Sequence, residues 1–112
     1  MSKRSGSGIR RAAPVFAALG DSARLTLMVR LSRGESLSIT RLAEGLPMSR
    51  QAVTKHLHVL ENAGLIRCRK RGREQQWQLD DLPLFEARRI LERISQDWGD
   101  ALGRLKAFAE KE

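Results

Sequence analysis

The side chains best able to do chemistry are few. Cys68 is the sole cysteine, His56 and His58 are the sole histidines, and there is no tyrosine. A single thiol excludes an intrachain disulfide framework and any multi-cysteine metal cage. His56 and His58 stand two positions apart, which on a helix turns them about 200° from one another, so they cannot share a metal ion. The chain has no glycine-rich phosphate loop and no paired-carboxylate cleft, and Cys68 has no His partner in its vicinity, which argues against an enzyme. What remains is cationic. There are 21 Lys and Arg against 13 Asp and Glu, a formal charge of +8 and an isoelectric point near 11.0. The excess is uneven: +5 over residues 1–40, +6 over 41–73 and −3 over 74–112. A basic first two-thirds and an acidic last third point to a polyanion-binding surface confined to one part of the molecule. Two Trp and three Phe, with no aromatic ladder among the cations, leave single-stranded RNA without stacking platforms.

The cations concentrate in two places. Arg67 to Arg73 holds five basic residues in seven positions and no acid. The segment Arg50–Asn62 reads as a helix with Ser49 as its cap and Gly64 as its terminator. At 100° per residue Ala52, Val53, His56, Leu57, Val59 and Leu60 fall on one side. Gln51, Thr54, Lys55 and His58 fall on the other, with Arg50 at the edge, a face of hydrogen-bonding and cationic groups without a carboxylate.

These groups need elements to hold them. The 112 residues suit one domain, with 41% hydrophobic and 30% charged side chains typical of a globular chain. No apolar run nears the ~18 residues of a membrane span, so the expected location is the cytoplasm, with no membrane partner. Residues 1–11, Ser/Gly/basic and aperiodic, read as a flexible basic arm. Pro14 opens a short helix that Gly20 ends. Asp21 or Ser22 caps a central, largely buried helix over Ala23–Ser32. Leu37-Ser38-Ile39 is an extended link, and Thr40 caps a brief helix, Arg41–Leu46, closed by Pro47. A short capped helix, a proline-broken turn and a longer helix with a hydrogen-bonding outer face form a helix-turn-helix over 40–62. A hairpin over 65–79 follows, closing at Arg71-Gly72. It pairs Ile66 with Trp77 and Cys68 with Gln75, with Trp77 and Cys68 facing inward. The fold is therefore mainly α with a small β-hairpin (α+β): a winged helix over residues 12–112.

The last element, 83–109, repeats Leu84, Ala87, Leu91, Ile94, Trp98, Ala101, Leu105 and Phe108 at alternating spacings of three and four. That is an unbroken heptad seam, long for a helix that only packs on its own small domain. It reads as a homodimer helix, joined by Val15, Phe16 and Leu19, for which the sequence offers no intrachain partner.

The string Leu42-Ala43-Glu44, Ser49-Arg50-Gln51-Ala52-Val53-Thr54-Lys55-His56-Leu57, Val59-Leu60-Glu61-Asn62-Ala63-Gly64-Leu65-Ile66, then Gly72-Arg73 and Trp77-Gln78-Leu79, resembles the ArsR/SmtB family of winged-helix repressors. So does Phe16-Ala17-Ala18-Leu19-Gly20-Asp21-Ser22-Ala23-Arg24. The resemblance spans residues 12–82, and the tail is similar to the dimer helix of a metal-independent branch. It implies a homodimer that occupies double-stranded operator DNA and blocks transcription until a ligand loosens it. Family metal sensors of one kind carry Cys-x-Cys where this chain reads Ser38-Ile39-Thr40, which are not soft ligands. Another kind needs histidines on the last helix, which here has Asp97 and Asp100 but no His. Thiol sensors need a cysteine pair. The expected signal is thus non-metal and of unknown identity, with no metal site, no catalytic residue and no cofactor.

In that frame Gln51 and Thr54 read base edges, Arg50 pairs with guanine or grips phosphate, and Ser49, Lys55 and His58 contact phosphates. Arg69, Lys70, Arg71 and Arg73 of the hairpin reach phosphates or a minor groove. His56 points inward, bonded to backbone. Leu84, Leu91, Ile94, Trp98, Leu105 and Phe108 line the dimer seam. The competing reading is a basic protein–protein interaction module without sequence-specific DNA binding.

Overall fold

The computed structural model describes the backbone of residues 2–111 and the side chains of residues 8–111. The elements in chain order are α1 (Ser2–Leu19), α2 (Ser22–Leu31), β1 (Leu37–Ser38), α3 (Ile39–Ala43), α4 (Arg50–Asn62), β2 (Ile66–Arg71), β3 (Glu74–Leu79) and α5 (Asp81–Lys111). The helices enclose one core, in which Leu27, Leu31, Leu42, Val53, Leu57, Leu60 and Leu65 are fully buried. A three-stranded antiparallel sheet in the order β1-β3-β2 lies against it.

Local chemistry sets most boundaries. The Asp21 carboxylate accepts from the Arg24 N–H at 3.1 Å and caps α2. That bond, with the nearby Arg24 charge, holds the Asp21 carboxyl below its ordinary range. Ser49 caps α4 through the Ala52 N–H at 3.1 Å. At the other end of α4, Gly64 N–H reaches Glu61 C=O and Leu65 N–H reaches Leu60 C=O, at 2.9 and 3.0 Å. This is a Schellman closure, and it needs the left-handed φ of +80° that Gly64 supplies. It turns the chain so that Leu65 enters the core and the next strand begins at Ile66.

Several expectations are corrected. The arm expected over residues 1–11 lies partly outside the described residues; its described backbone, 2–11, is helical. Pro14 consequently sits inside α1 rather than in a first turn. The reason is packing: Ala12, Val15 and Ala18 are buried as α1 lies along α5, and that contact outweighs the lost amide hydrogen bond. α3 starts at Ile39 and ends at Ala43, capped by Ser38 and not Thr40, because β1 delivers Ser38 with its hydroxyl 3.3 Å from the Arg41 N–H. Leu37-Ser38 is a strand paired with Trp77 and Gln76, so the wing sheet has three strands. α2 is only half core: Leu25 and Val29 are exposed, as is Val59 of α4.

The hairpin closes at Gly72-Arg73, pairing Arg71 with Glu74, Cys68 with Trp77 and Ile66 with Leu79. This is two residues from the expected register. A slip of two leaves every side chain on its expected face, and Trp77 is buried with Cys68 packed beside the core. Gly72 decides the register, because its positive φ of +64° fits the first central position of a tight two-residue turn.

α5 runs 31 residues, about 46 Å at 1.5 Å per residue. Its first turns pack on α1 and the core through Leu84 and Ala87. Beyond them it projects away from the domain, so the molecule measures 65 × 36 × 21 Å. Gly99 and Gly103 on this stretch face open space. Among the described residues no single helix is long and apolar enough to cross a membrane.

Candidate nucleic-acid interface

α3, the Gly45–Ser49 turn and α4 form a helix-turn-helix whose inner faces are fixed by Leu42, Val53, Leu57 and Leu60. Burial of those four leaves the opposite side of α4 outward. Arg50, Gln51, Lys55 and His58 are exposed there, and Ser49 is exposed at the N-terminus. Thr54 is half-buried, and its hydroxyl donates to the Arg50 carbonyl at 2.9 Å. Its oxygen lone pairs and methyl are what it can offer outward. The N-terminal half of α4 thus presents an arginine, a glutamine, a threonine and a lysine with no acid among them.

The wing stands beside this face. Arg67, Arg69, Lys70, Arg71 and Arg73 are all exposed. Arg67, Arg69 and Arg71 share one face of β2, opposite Gln78, Gln76 and Glu74. Among the described residues the ion pairs are Arg11–Glu86 at 3.9 Å and Arg88–Glu92 at 3.0 Å. Both lie on α1 and α5, so among the described residues no carboxylate stands within ion-pair distance of a cation of α4 or the wing, Glu74 across the strands from Arg71 being the nearest acid in register. His58 leans toward the wing: its ring lies 6.1 Å from that of Trp77, tilted by 54°. It bridges recognition helix and sheet as well as standing at the surface.

His56 points inward as expected, but its partner differs. Nδ1 lies 3.4 Å from an Arg24 guanidinium nitrogen, and the same guanidinium donates to the Ala18 carbonyl at 2.5 Å. Arg24 thus ties the end of α1 and the start of α2 to the middle of α4. Arg30 does the same for α3, donating to the Leu42 and Glu44 carbonyls at 2.8 and 2.6 Å and filling orphan acceptors at the helix end. Sequence reading missed both. Their partners are backbone carbonyls and a histidine 32 positions away, which leave no local pattern. It also passed over Arg67, although the alternation with Ile66 and Cys68 already puts Arg67 on the outer face.

Cys68 is half-buried, and burial followed by the Glu61 charge pushes its thiol pKa up. That is the opposite of an activated thiolate. Among the described residues no three His, Cys, Asp or Glu side chains gather as a metal-holding group. Of the residues expected at a dimer interface, Val15 is 3% exposed within its own chain and Phe16, Leu19 and Leu84 pack against the core. The partner missing from the sequence is the start of α5. Leu91, Ile94, Trp98, Leu105 and Phe108 remain exposed.

A capped helix-turn-helix with an acid-free outer face, flanked by a cationic wing, defines a winged-helix DNA-binding domain. Residues 19–69 match the model of a helix-turn-helix domain. The chain is 40% identical over 85 residues to the HTH-type transcriptional regulator Rv2034 of Mycobacterium tuberculosis, covering 76% of each chain. It is 38% identical over 69 residues to a transcriptional repressor SmtB homolog of Synechocystis, covering 62% of this chain and 52% of that one. The solved structure of an ArsR-like transcriptional regulator from Rhodococcus sp. RHA1 superposes with a TM-score of 0.68 at 39% identity, covering 89% of this chain and 93% of that one. The chain belongs to the ArsR family of helix-turn-helix regulators: it is a DNA-binding transcriptional regulator and not an enzyme.

Proposed function

We infer that the chain is a cytoplasmic, homodimeric repressor that binds a specific duplex operator and leaves it in response to a non-metal signal. The observation that carries this reading is the exposed face of α4, where Arg50, Gln51, Thr54 and Lys55 stand together without an acid, continuous with five exposed wing cations. Arg50 and Gln51 have the reach and the paired donors and acceptors to read guanine and adenine edges in the major groove, with Thr54 beside them. Ser49, Lys55 and His58 grip phosphates, and Arg69, Lys70, Arg71 and Arg73 extend that grip along the backbone.

Two recognition helices related by a two-fold axis enter successive major grooves, so the operator is an imperfect palindrome with half-site centres roughly one turn (~10 bp) apart or a near multiple. The free apolar stretch of α5 supports the dimer, and the likeness to the Synechocystis transcriptional repressor SmtB homolog supports repression. The set Ser38-Ile39-Thr40, the single Cys68 and an α5 without histidine support a signal other than metal. Selecting bound duplexes from a random pool, then titrating the enriched sequence against its scrambled form, tests the reading. A palindromic site bound at least a thousandfold (~10³) more tightly supports it. Equal affinity for both duplexes refutes it and favours a non-specific or protein-binding module.

A further inference from the structure

The helix that faces DNA is seated through a histidine that holds its place only when neutral. Resting on the operator-binding reading above, we propose that Arg24 and His56 are positioning residues for α4, and that acidification is a signal this regulator reads: a proton on His56 unseats α4 and releases the operator.

Arg24 is half-buried near the start of α2, and His56 is half-buried at the middle of α4. The Arg24 Nε donates to the Ala18 carbonyl, which fixes where the guanidinium sits. A second guanidinium nitrogen then lies 3.4 Å from His56 Nδ1. A guanidinium only donates and keeps its charge throughout the physiological range, so Nδ1 must accept through a bare lone pair. The ring is therefore neutral in this arrangement, with its proton on Nε2. Among the described residues the other side-chain hydrogen bonds of α4 stay within its own first turn, so this is the polar link that ties its middle to another element.

Protonation reverses the contact. Nδ1 becomes a donor facing a donor, and two positive charges stand side by side. Histidine is the side chain whose charge changes between about pH 5 and pH 8. Two charges face the ring from α2 and its cap. Arg24 repels an imidazolium, and the Asp21 carboxylate, close enough to feel the ring's charge, attracts it but is committed to capping α2 through the Arg24 N–H. On α4 the residues one turn away, Ala52, Val53, Val59 and Leu60, carry no charge, nor does the last turn of α1, Phe16 to Leu19. α3 and β2, which also pack on α4, turn Leu42 and Ile66 to the core and leave Arg41, Glu44, Arg67 and Arg69 exposed. The repulsion is relieved by moving α4 off the junction of α1 and α2. Gln51, Thr54 and Lys55 ride on the same helix, and the directional hydrogen bonds that read base edges do not survive its displacement.

The test measures operator affinity by anisotropy at fixed ionic strength from about pH 8 to about pH 5.5. It uses the His58→Gln chain, because His58 on the outer face gains a phosphate-attracting charge over the same range. Affinity should fall by about tenfold or more on acidification. Adding His56→Asn, which keeps an acceptor near the place of Nδ1 and cannot titrate, should make affinity independent of pH. Ring-nitrogen NMR does not depend on that second variant folding, since His58→Gln leaves His56 as the sole histidine. At about pH 6, adding operator should drive the proton off His56, whereas a histidine merely close to a polyanion takes one up. A flat or rising affinity on acidification, an unchanged pH dependence with His56→Asn, or proton uptake on binding overturns the proposal. Equal affinity for operator and scrambled duplex at about pH 8 removes the operator reading itself, whatever the pH trend.

Discussion

Arg71→Ala removes one cation from the wing tip, and its effect should appear in the salt dependence of binding more than in sequence preference. Arg71 is exposed at the end of β2, and among the described residues no carboxylate lies within ion-pair distance of it, so its charge is free for a phosphate. A dimer carries two wings and so loses two phosphate contacts. Each contact contributes a slope of about 0.9 in log affinity against log salt on B-DNA, so the slope should fall by about 1.8. Over a roughly fourfold change in salt, from about 50 to about 200 mM, the wild type should therefore lose about twelvefold more affinity than the variant. Arg73→Ala should behave alike. Fluorescence anisotropy titrations of operator and scrambled duplex at four or five salt concentrations measure it, and both duplexes should weaken by similar factors. An unchanged slope would refute the phosphate assignment. A loss confined to the outer base pairs of the operator would mean that the wing reads a narrow minor groove instead.

Gln51→Ala and Thr54→Ala should each cost about 1–3 kcal/mol at particular base pairs and relax preference there, measured with single-substitution operators; equal weakening of scrambled DNA contradicts base reading. Leu91→Glu with Ile94→Glu should give monomers that lose operator affinity while keeping their helical circular dichroism, since both side chains are exposed in one chain; a dimer by sedimentation contradicts the seam. Zinc, cadmium or arsenite at modest excess should leave operator affinity unchanged, and a stoichiometric metal site in calorimetry that releases DNA would contradict this. Burial raises the Cys68 thiol pKa, so its contribution to stability is present while the thiol is protonated and is lost as pH climbs through the raised folded value. Its alkylation should accordingly rise at higher pH in the native chain than in the denatured one; coincident profiles would contradict the burial.

The elements that sequence alone determined are those whose causes lie within a few residues. Asp21 and Ser49 supply acceptors for helix N–H groups three positions on, and Gly64 supplies the left-handed turn that closes α4. The helical period of Val53, Leu57 and Leu60 puts Gln51 and Lys55 outward regardless of what packs behind them. The same period writes the α5 seam. Tertiary packing decided the rest. The wing register could not be read from alternation, because a slip of two preserves every face; the backbone geometry at Gly72 chose it. Val15 seemed unpartnered only because the start of α5, some seventy positions away, is its cover. Val59 satisfied the helical wheel yet stayed exposed, since a wheel gives direction and not the presence of a neighbour. The Arg24 link from Ala18 to His56 and the Arg30 clamp on α3 depend on chain segments brought together by the core. Local hydrogen bonds and periodicity act over a turn or two of helix, whereas the placement of α4 and the wing relative to one another is set by contacts that exist only once the core has closed.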